Sequence, residues 1–158
     1  MNPDTFYYMV RDIVLSLKEQ GFERVIVVIG HGGIFMAGPV IRELNATNPD
    51  IKVIKIDFLT FLNDSDMTEI LECRNNLHAC EYETSLMLYI KPELVRKELI
   101  EDCAPEVPRD FLNYAPIFKF SKNGVWGKPS LATAEKGGKI FRLLVDKSLN
   151  YIDRVSRL

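Results

Sequence analysis

The run Val25-Ile26-Val27-Val28-Ile29-Gly30-His31-Gly32-Gly33 constrains this chain more than any other stretch. Five consecutive β-branched apolar residues predict a buried strand, because branched side chains fit a pleated surface. Glycines end that strand, and the segment after them reads as helix. A strand–turn–helix passage of this kind puts the turn at the carboxyl edge of a sheet, where open α/β sheets bind their ligands. His31 is the side chain that projects from this turn, and it is one of two histidines in the chain. The other, His78, stands in the polar stretch His78-Ala79-Cys80-Glu81-Tyr82-Glu83-Thr84-Ser85. We expect these two stretches to meet in space.

The elements around the first strand follow from periodicity. Asn2-Pro3 opens a helix, Asn as cap and Pro at the first helical position. Phe6, Met9, Val10, Ile13, Val14 and Leu17 give it one apolar face, and Gly21 ends it. Ile34 to Leu44 predicts a second helix, Asn45-Ala46-Thr47-Asn48-Pro49-Asp50 a turn, and Ile51 to Ile56 a second strand ending at Asp57. Two strands joined through a helix imply parallel pairing with a right-handed crossover. Phe58 to Asn76, with polar Asp64-Ser65-Asp66, predicts a loop and a short helix. Glu81 to Tyr89 predicts a helix, and Asp102 to Pro116 a surface excursion. Phe118 to Phe120 reads as a short edge strand. Ser130 begins a long final helix running to Ser156, with Ile140, Leu143, Leu144, Leu149 and Ile152 on its buried side. Repeats and linkers are absent from the sequence, so residues 1–158 are expected to form one α/β domain.

The totals exclude several classes. With 158 residues and 47% hydrophobic content, one sizeable core is within reach. A net charge of −2 gives no electrostatic case for nucleic acid or for an anionic membrane surface. No stretch approaches the roughly 18 apolar residues of a membrane span. Met1-Asn2-Pro3-Asp4 does not start a signal peptide, and three cysteines (Cys73, Cys80, Cys103) without CxxC spacing suit a reduced compartment, so a cytoplasmic setting is expected.

Several residues are candidates for chemistry. His31 can ligate a metal through a neutral imidazole nitrogen, and Gly32 and Gly33 let the backbone approach a metal or substrate closely. The alternative is a turn histidine satisfied by a backbone group. The loop lacks the lysine and spacing of a phosphate cradle. His78 with Glu81 and Glu83 can supply a ligand, a general base and an orienting acceptor. Against this, Glu81 and Glu83 in a first helical turn suit the helix dipole without any metal. Cys80 is a thiolate ligand, a nucleophile or simply a small buried thiol. Trp126 can stack on a flat substrate or pack in a core. Lys128 and Arg109 are candidates for an anionic group, with surface placement the alternative.

Taken together, these stretches resemble the creatininase family, the creatinine amidohydrolases and their relatives. The family's Asn-Gly-His-Gly-Gly-Asn motif stands here as Ile29-Gly30-His31-Gly32-Gly33-Ile34. Its His-Ala-Gly-Glu and Glu-Thr-Ser stand as His78-Ala79-Cys80-Glu81 and Glu83-Thr84-Ser85. A third similar stretch runs from Gly124-Val125-Trp126-Gly127-Lys128-Pro129 to Gly137. The resemblance implies an α/β/α three-layer sandwich with a mainly parallel sheet, frequently in a homo-oligomer. It implies a divalent metal site (zinc, manganese or iron) that activates water against a C–N bond of an amide or cyclic amide. Carried over, His31 is a metal ligand, Glu81 a ligand of the second metal and His78 a group for proton transfer. Gly32, Gly33 and Trp126 face the substrate.

Departures from the family pattern shape the reading. Relatives extend further at the N-terminus, where a Glu-x-His-Gly motif and a following Asp supply metal ligands. Ile29 and Ile34 stand where relatives have Asn, and Cys80 where they have Gly. One reading is therefore a metal-dependent amidohydrolase lacking the N-terminal strands, completed by a separate N-terminal-half chain. Another is a non-catalytic creatininase-like binding or assembly protein. A third is a mononuclear site from His31, His78, Cys80 and Glu81. The strand at Val25 is expected to need cover from another copy or a partner chain along its edge.

Overall fold

The computed structural model describes residues 1–61 and 65–158, so Asp64 and the neighbouring part of the predicted 58–76 loop lie outside the described residues. The chain falls into two compact units, Met1–Leu62 with Asp146–Leu158, and Asn63–Val145.

The first unit opens with α1 (Pro3–Glu19). Asn2 caps it by accepting from the Asp4 amide at 3.1 Å, and Gly21 at φ +89° lets the chain leave it. Next come β1 (Arg24–Ile29), α2 (Ala37–Thr47) and β2 (Lys52–Asp57), then the short α3 (Phe58–Phe61). The strands pair in parallel from Arg24 opposite Lys52 to Ile29 opposite Asp57, as the strand–helix–strand order requires. α2 starts three residues later than the apolar pattern predicts. Residues 34–36 are spent on turns, in which Ile34 N–H donates to His31 O and Ala37 N–H to Ile34 O.

Val10 and Val14 of α1, Val40, Ile41 and Leu44 of α2, and Ile29 and Val53 of the sheet form the core of this unit. Val25 and Val27 pack against it. The opposite sheet face is covered unevenly. Ile54 and Ile56 of β2 are 1% and 2% exposed, whereas their register partners Ile26 and Val28 of β1 are 46% and 58% exposed. The expectation of a buried first strand therefore fails at Ile26 and Val28, because the cover over the sheet stops at β2.

The two edges also differ. Lys52 N–H donates to Glu23 O at 2.8 Å, so in a parallel ladder Val25 and Val27 turn their backbone groups toward β2, and Arg24, Ile26 and Val28 turn theirs away. No described strand meets that side of β1. At the far edge, Val53 is met by a side chain: its N–H donates to Asn45 Oδ1 and its carbonyl accepts from Asn45 Nδ2, both at 2.8 Å.

The second unit holds α4 (Ser65–Ile70), α5 (Glu81–Ile90) and the beginning of α6 (Ala134–Ser156), with short 3-10 turns between them. Residues 117–119 form one of these turns rather than the expected edge strand; Pro116 O accepts from Lys119 N–H and closes it. α6 starts at Ala134, not Ser130, because Pro129–Leu131 is a separate 3-10 turn and Thr133 takes the cap position. Lys136 N–H donates to Thr133 Oγ1 at 3.1 Å. Ile140 and Leu144 are buried and Leu143 and Ile152 half-buried, but Leu149 is exposed, contrary to its place in the periodic pattern. Gly137 allows α6 to cross α5 at backbone contact: a Cβ there would lie 1.9 Å from Ser85 O. No helix among the described residues is long and apolar enough to cross a membrane.

Candidate functional site

In the first unit, Gly30-His31-Gly32-Gly33 leaves the carboxyl end of β1 as a turn, with His31 exposed. Gly33 N–H donates to His31 Nδ1 at 2.9 Å. A ring nitrogen that accepts carries no proton, so the neutral imidazole in this arrangement holds its hydrogen on Nε2. Nδ1 has the lone pair a metal needs, but Gly33 N–H occupies it, which leaves Nε2 as the donor. Close approach explains both glycines. A Cβ at Gly32 would lie 3.0 Å from Leu59 Cδ1, and one at Gly33 3.0 Å from His31 Nδ1. His31, Gly33, Ile34, Phe35 and Phe6 border a cavity of about 260 Å³, open to solvent and mostly apolar.

In the second unit, His78 is also exposed, on a tightly bound loop. Its backbone pairs antiparallel with Trp126: Trp126 N–H donates to His78 O at 2.8 Å, and Trp126 O accepts from Leu77 and His78 N–H at 2.8 and 3.2 Å. Trp126 itself is fully buried, with Nε1–H donating to Asn75 Oδ1 at 2.9 Å. Its ring offers no face to a solute in this arrangement and serves the loop instead. Ala79 follows His78 at φ +47°, a left-handed conformation that costs a non-glycine residue roughly 1 kcal/mol or more and that surrounding contacts must hold.

Those contacts are specific. The fully buried Glu81 side chain turns back on the loop: Oε2 accepts from Cys73 N–H at 2.7 Å and Oε1 from Glu72 N–H at 3.1 Å. Oε1 also accepts from Lys136 Nζ at 2.6 Å, and the same ammonium reaches Glu72 Oε1 at 2.6 Å and Leu131 O at 2.8 Å. Desolvation draws the Lys136 pKa down, but the hydrogen bonds and charges of Glu72 and Glu81 outweigh it and leave the pKa raised. Buried Asn76 spans the loop, its Oδ1 accepting from Glu81 N–H at 3.2 Å and its Nδ2 donating to Cys73 O. Arg109 is exposed, the surface placement weighed for it, and its guanidinium also donates to Asn76 O at 2.8 Å. Cys80 is buried, and that burial raises its thiol pKa. It leans on Gly127, where a Cβ would come within 2.5 Å of the Cys80 Cβ. Lys128 is exposed.

The histidine motifs were visible in the sequence; Lys136, Asn76 and Asn75 were not singled out. Lys136 lies 55 residues from Glu81 and no spacing rule links them. Among the described residues, no group of three or more His, Cys, Asp or Glu side chains is placed to hold a metal ion.

Comparison with known proteins adds independent findings. A family model described as creatininase, creatinine amidohydrolase, matches residues 1–152. The creatinine amidohydrolase of Pseudomonas putida is 28% identical over 149 residues, 86% of this chain and 57% of that protein. The mycofactocin precursor peptide peptidase of Mycobacterium ulcerans is 29% identical over 136 residues, 84% of this chain and 49% of its own. A creatinine amidohydrolase-like crystal structure from Bacteroides fragilis superposes with a TM-score of 0.81 at 28% identity, covering 100% of this chain and 64% of that one. A creatininase structure named for Mn shares the fold, with a TM-score of 0.79 at 24% identity over 98% of this chain and 65% of that one. The chain thus spans about half to two thirds of the length of these proteins.

Proposed function

The chain belongs to the creatininase family of creatinine amidohydrolases, and from that premise we propose that it forms part of a metal-dependent hydrolase acting on a C–N bond of an amide or cyclic amide. The observation that carries the reading is His31, exposed at the carboxyl end of a parallel strand beside Gly32 and Gly33, where an added Cβ would come to 3.0 Å from a neighbouring side chain. In this reading His31 supplies a ligand for zinc, manganese or iron, the backbone at Gly32 and Gly33 lines the substrate, and His78 moves a proton. When bound, the metal supplies an activated water and polarises the scissile carbonyl.

The described residues do not complete such a centre. They contain no three-residue donor group, the Glu81 carboxylate is committed to three donors, and His31 Nδ1 to Gly33. The remaining ligands belong, in this proposal, to a segment outside residues 1–158. The relatives carry a further third to half of chain for such a segment. The free side of β1, with Ile26 and Val28 uncovered beside unpaired backbone, suits an added apolar strand.

Elemental analysis across size-exclusion fractions tests this. Zinc, manganese or iron should travel with an assembled species, be absent from the isolated chain and be removed by His31→Ala. Metal in neither, with no hydrolysis of creatinine by either, would refute the enzyme reading. A second reading would then stand, a creatininase-like binding or assembly protein. The fully buried Glu81 carboxylate, held by three donors, and the Nε2–H form of His31 favour it.

A further inference from the structure

We propose that Glu81 and Lys136 are positioning residues, a buried ion pair whose work is to fix the 72–81 loop and so aim the His78 imidazole. The inference rests on the reading of His78 as the group that moves a proton. It assigns Glu81 a different task from metal ligation.

Three observations converge. First, the Glu81 carboxylate is fully buried, and three donors at 2.6–3.1 Å take three of its roughly four lone-pair positions, with both on Oε1 filled. A ligand must present a free lone pair to its metal. Second, two of those donors, Glu72 and Cys73 N–H, lie in the loop that leads to His78, while the third comes from α6. The pair therefore staples the start of the loop to the start of α5, where His78 stands three residues before Glu81. Third, the loop holds Ala79 at φ +47°. A strained residue persists only where its surroundings over-determine it. Here the determinants are the Glu81–Lys136 pair, Asn76 across the loop and the Trp126 bridge at His78 itself. Lys136 is fixed independently: its N–H is capped by Thr133, and its ammonium also reaches Leu131 O. Removing the ammonium leaves a buried carboxylate without its cation, the costly way to break such a pair.

The test compares Lys136→Met, Glu81→Gln, the double variant and Glu72→Gln, by hydrogen exchange and by the imidazole NMR signals of His78, with no metal or substrate present. Lys136→Met should speed exchange of the Glu72 and Cys73 amides at least tenfold and move the His78 signals toward those of a free histidine. The double variant, which removes both charges, should recover much of both effects. Glu72→Gln, which removes only an exposed partner, should change either by less than twofold. If Lys136→Met fails to fold, Glu81→Gln, which keeps a side-chain carbonyl acceptor, carries the same comparison. Wild-type exchange and His78 signals in Lys136→Met would overturn the proposal. So would zinc uptake that Glu81→Gln abolishes without disturbing His78. These readouts do not depend on catalysis. If amide hydrolysis is absent in every sample while Lys136→Met still releases His78, the functional reading fails and the anchor stands.

Discussion

Replacing Gly137 with alanine is the sharpest perturbation of the fold, because the substitution that normally strengthens a helix should weaken this one. A methyl group at this position would sit 1.9 Å from Ser85 O, 2.6 Å from Ser85 C and 2.8 Å from Tyr89 Cβ. Two of these are backbone atoms, so no rotamer change relieves the contact, and α5 and α6 must separate by more than an ångström. Overpacking of this kind costs about 3 kcal/mol at the upper end of its usual range. Helix propensity returns about 1 kcal/mol on replacing glycine by alanine. The net is a loss of about 2 kcal/mol, which lowers a urea midpoint by about 1 M for a slope near 2 kcal/mol/M. The separation should also loosen two contacts beside it, Ser85 Oγ with Thr133 N–H and Lys136 with Glu81. Gly38→Ala is the matched control. It lies in the first turn of α2 with open space around its Cβ position, so it should be neutral or stabilise by up to about 1 kcal/mol. Urea titrations of both variants, followed by circular dichroism, give the answer. Equal midpoints, or a Gly137→Ala protein more stable than the parent, would refute backbone contact between α5 and α6.

Other outcomes follow from single features. Asn45→Ala removes both partners of Val53's outward backbone groups and should cost about 2 kcal/mol, read as a lower urea midpoint and faster exchange of the Val53 amide. Burial raises the pKa of the Cys80 thiol; burial and then the nearby Glu83 charge raise that of the Tyr82 phenol. Each stays protonated in the fold after it ionises in the unfolded chain, so the unfolded state binds fewer protons on the alkaline side. Midpoints should hold below about pH 8 and fall above about pH 9, where free cysteine and then tyrosine ionise; a stability that rises across that range would contradict the burial of both groups. Nitrogen NMR of His31 at a pH where it is neutral should show the Nε2–H form, and Gly33→Ala should disturb it by crowding Nδ1. An Nδ1–H ring in the parent would rule out the Gly33 hydrogen bond.

Much of the first unit was legible in the sequence because its signals are local. The cap at Asn2-Pro3, the apolar stripe through Val10 and Val14, and the two branched runs around a helix suffice for α1, β1, α2, β2 and their parallel pairing. Burial was less legible than secondary structure. Ile26 and Val28 have the composition of an interior strand, yet cover depends on what lies alongside, and the same holds for Leu149. The second unit resisted because 3-10 turns have no amphipathic period. Phe118-Lys119-Phe120 looks like an alternating strand fragment, and Pro116 starts a turn there instead. At the site, residue types announced themselves but their commitments did not. Glu81 reads as a ligand or catalytic carboxylate or as a helix-start charge until Lys136 arrives from 55 residues away and pairs with it. Trp126 reads as a stacking platform until its indole is found facing Asn75.

The side chain of Asn45 decides how far this sheet can grow. Its carboxamide imitates one peptide unit of a neighbouring strand and occupies β2 at Val53, while no described strand pairs with the outer side of β1. Head-to-tail stacking, in which β1 of one molecule joins β2 of the next, is the route by which exposed sheet edges run on into fibres. Here each such step would have to evict Asn45 first. Face-to-face joining of two β1 edges meets no such obstacle, and it leaves an asparagine at both outer margins. Among the described residues the sheet thus has one side open to an added strand and one side where a single carboxamide stands in a neighbour's place.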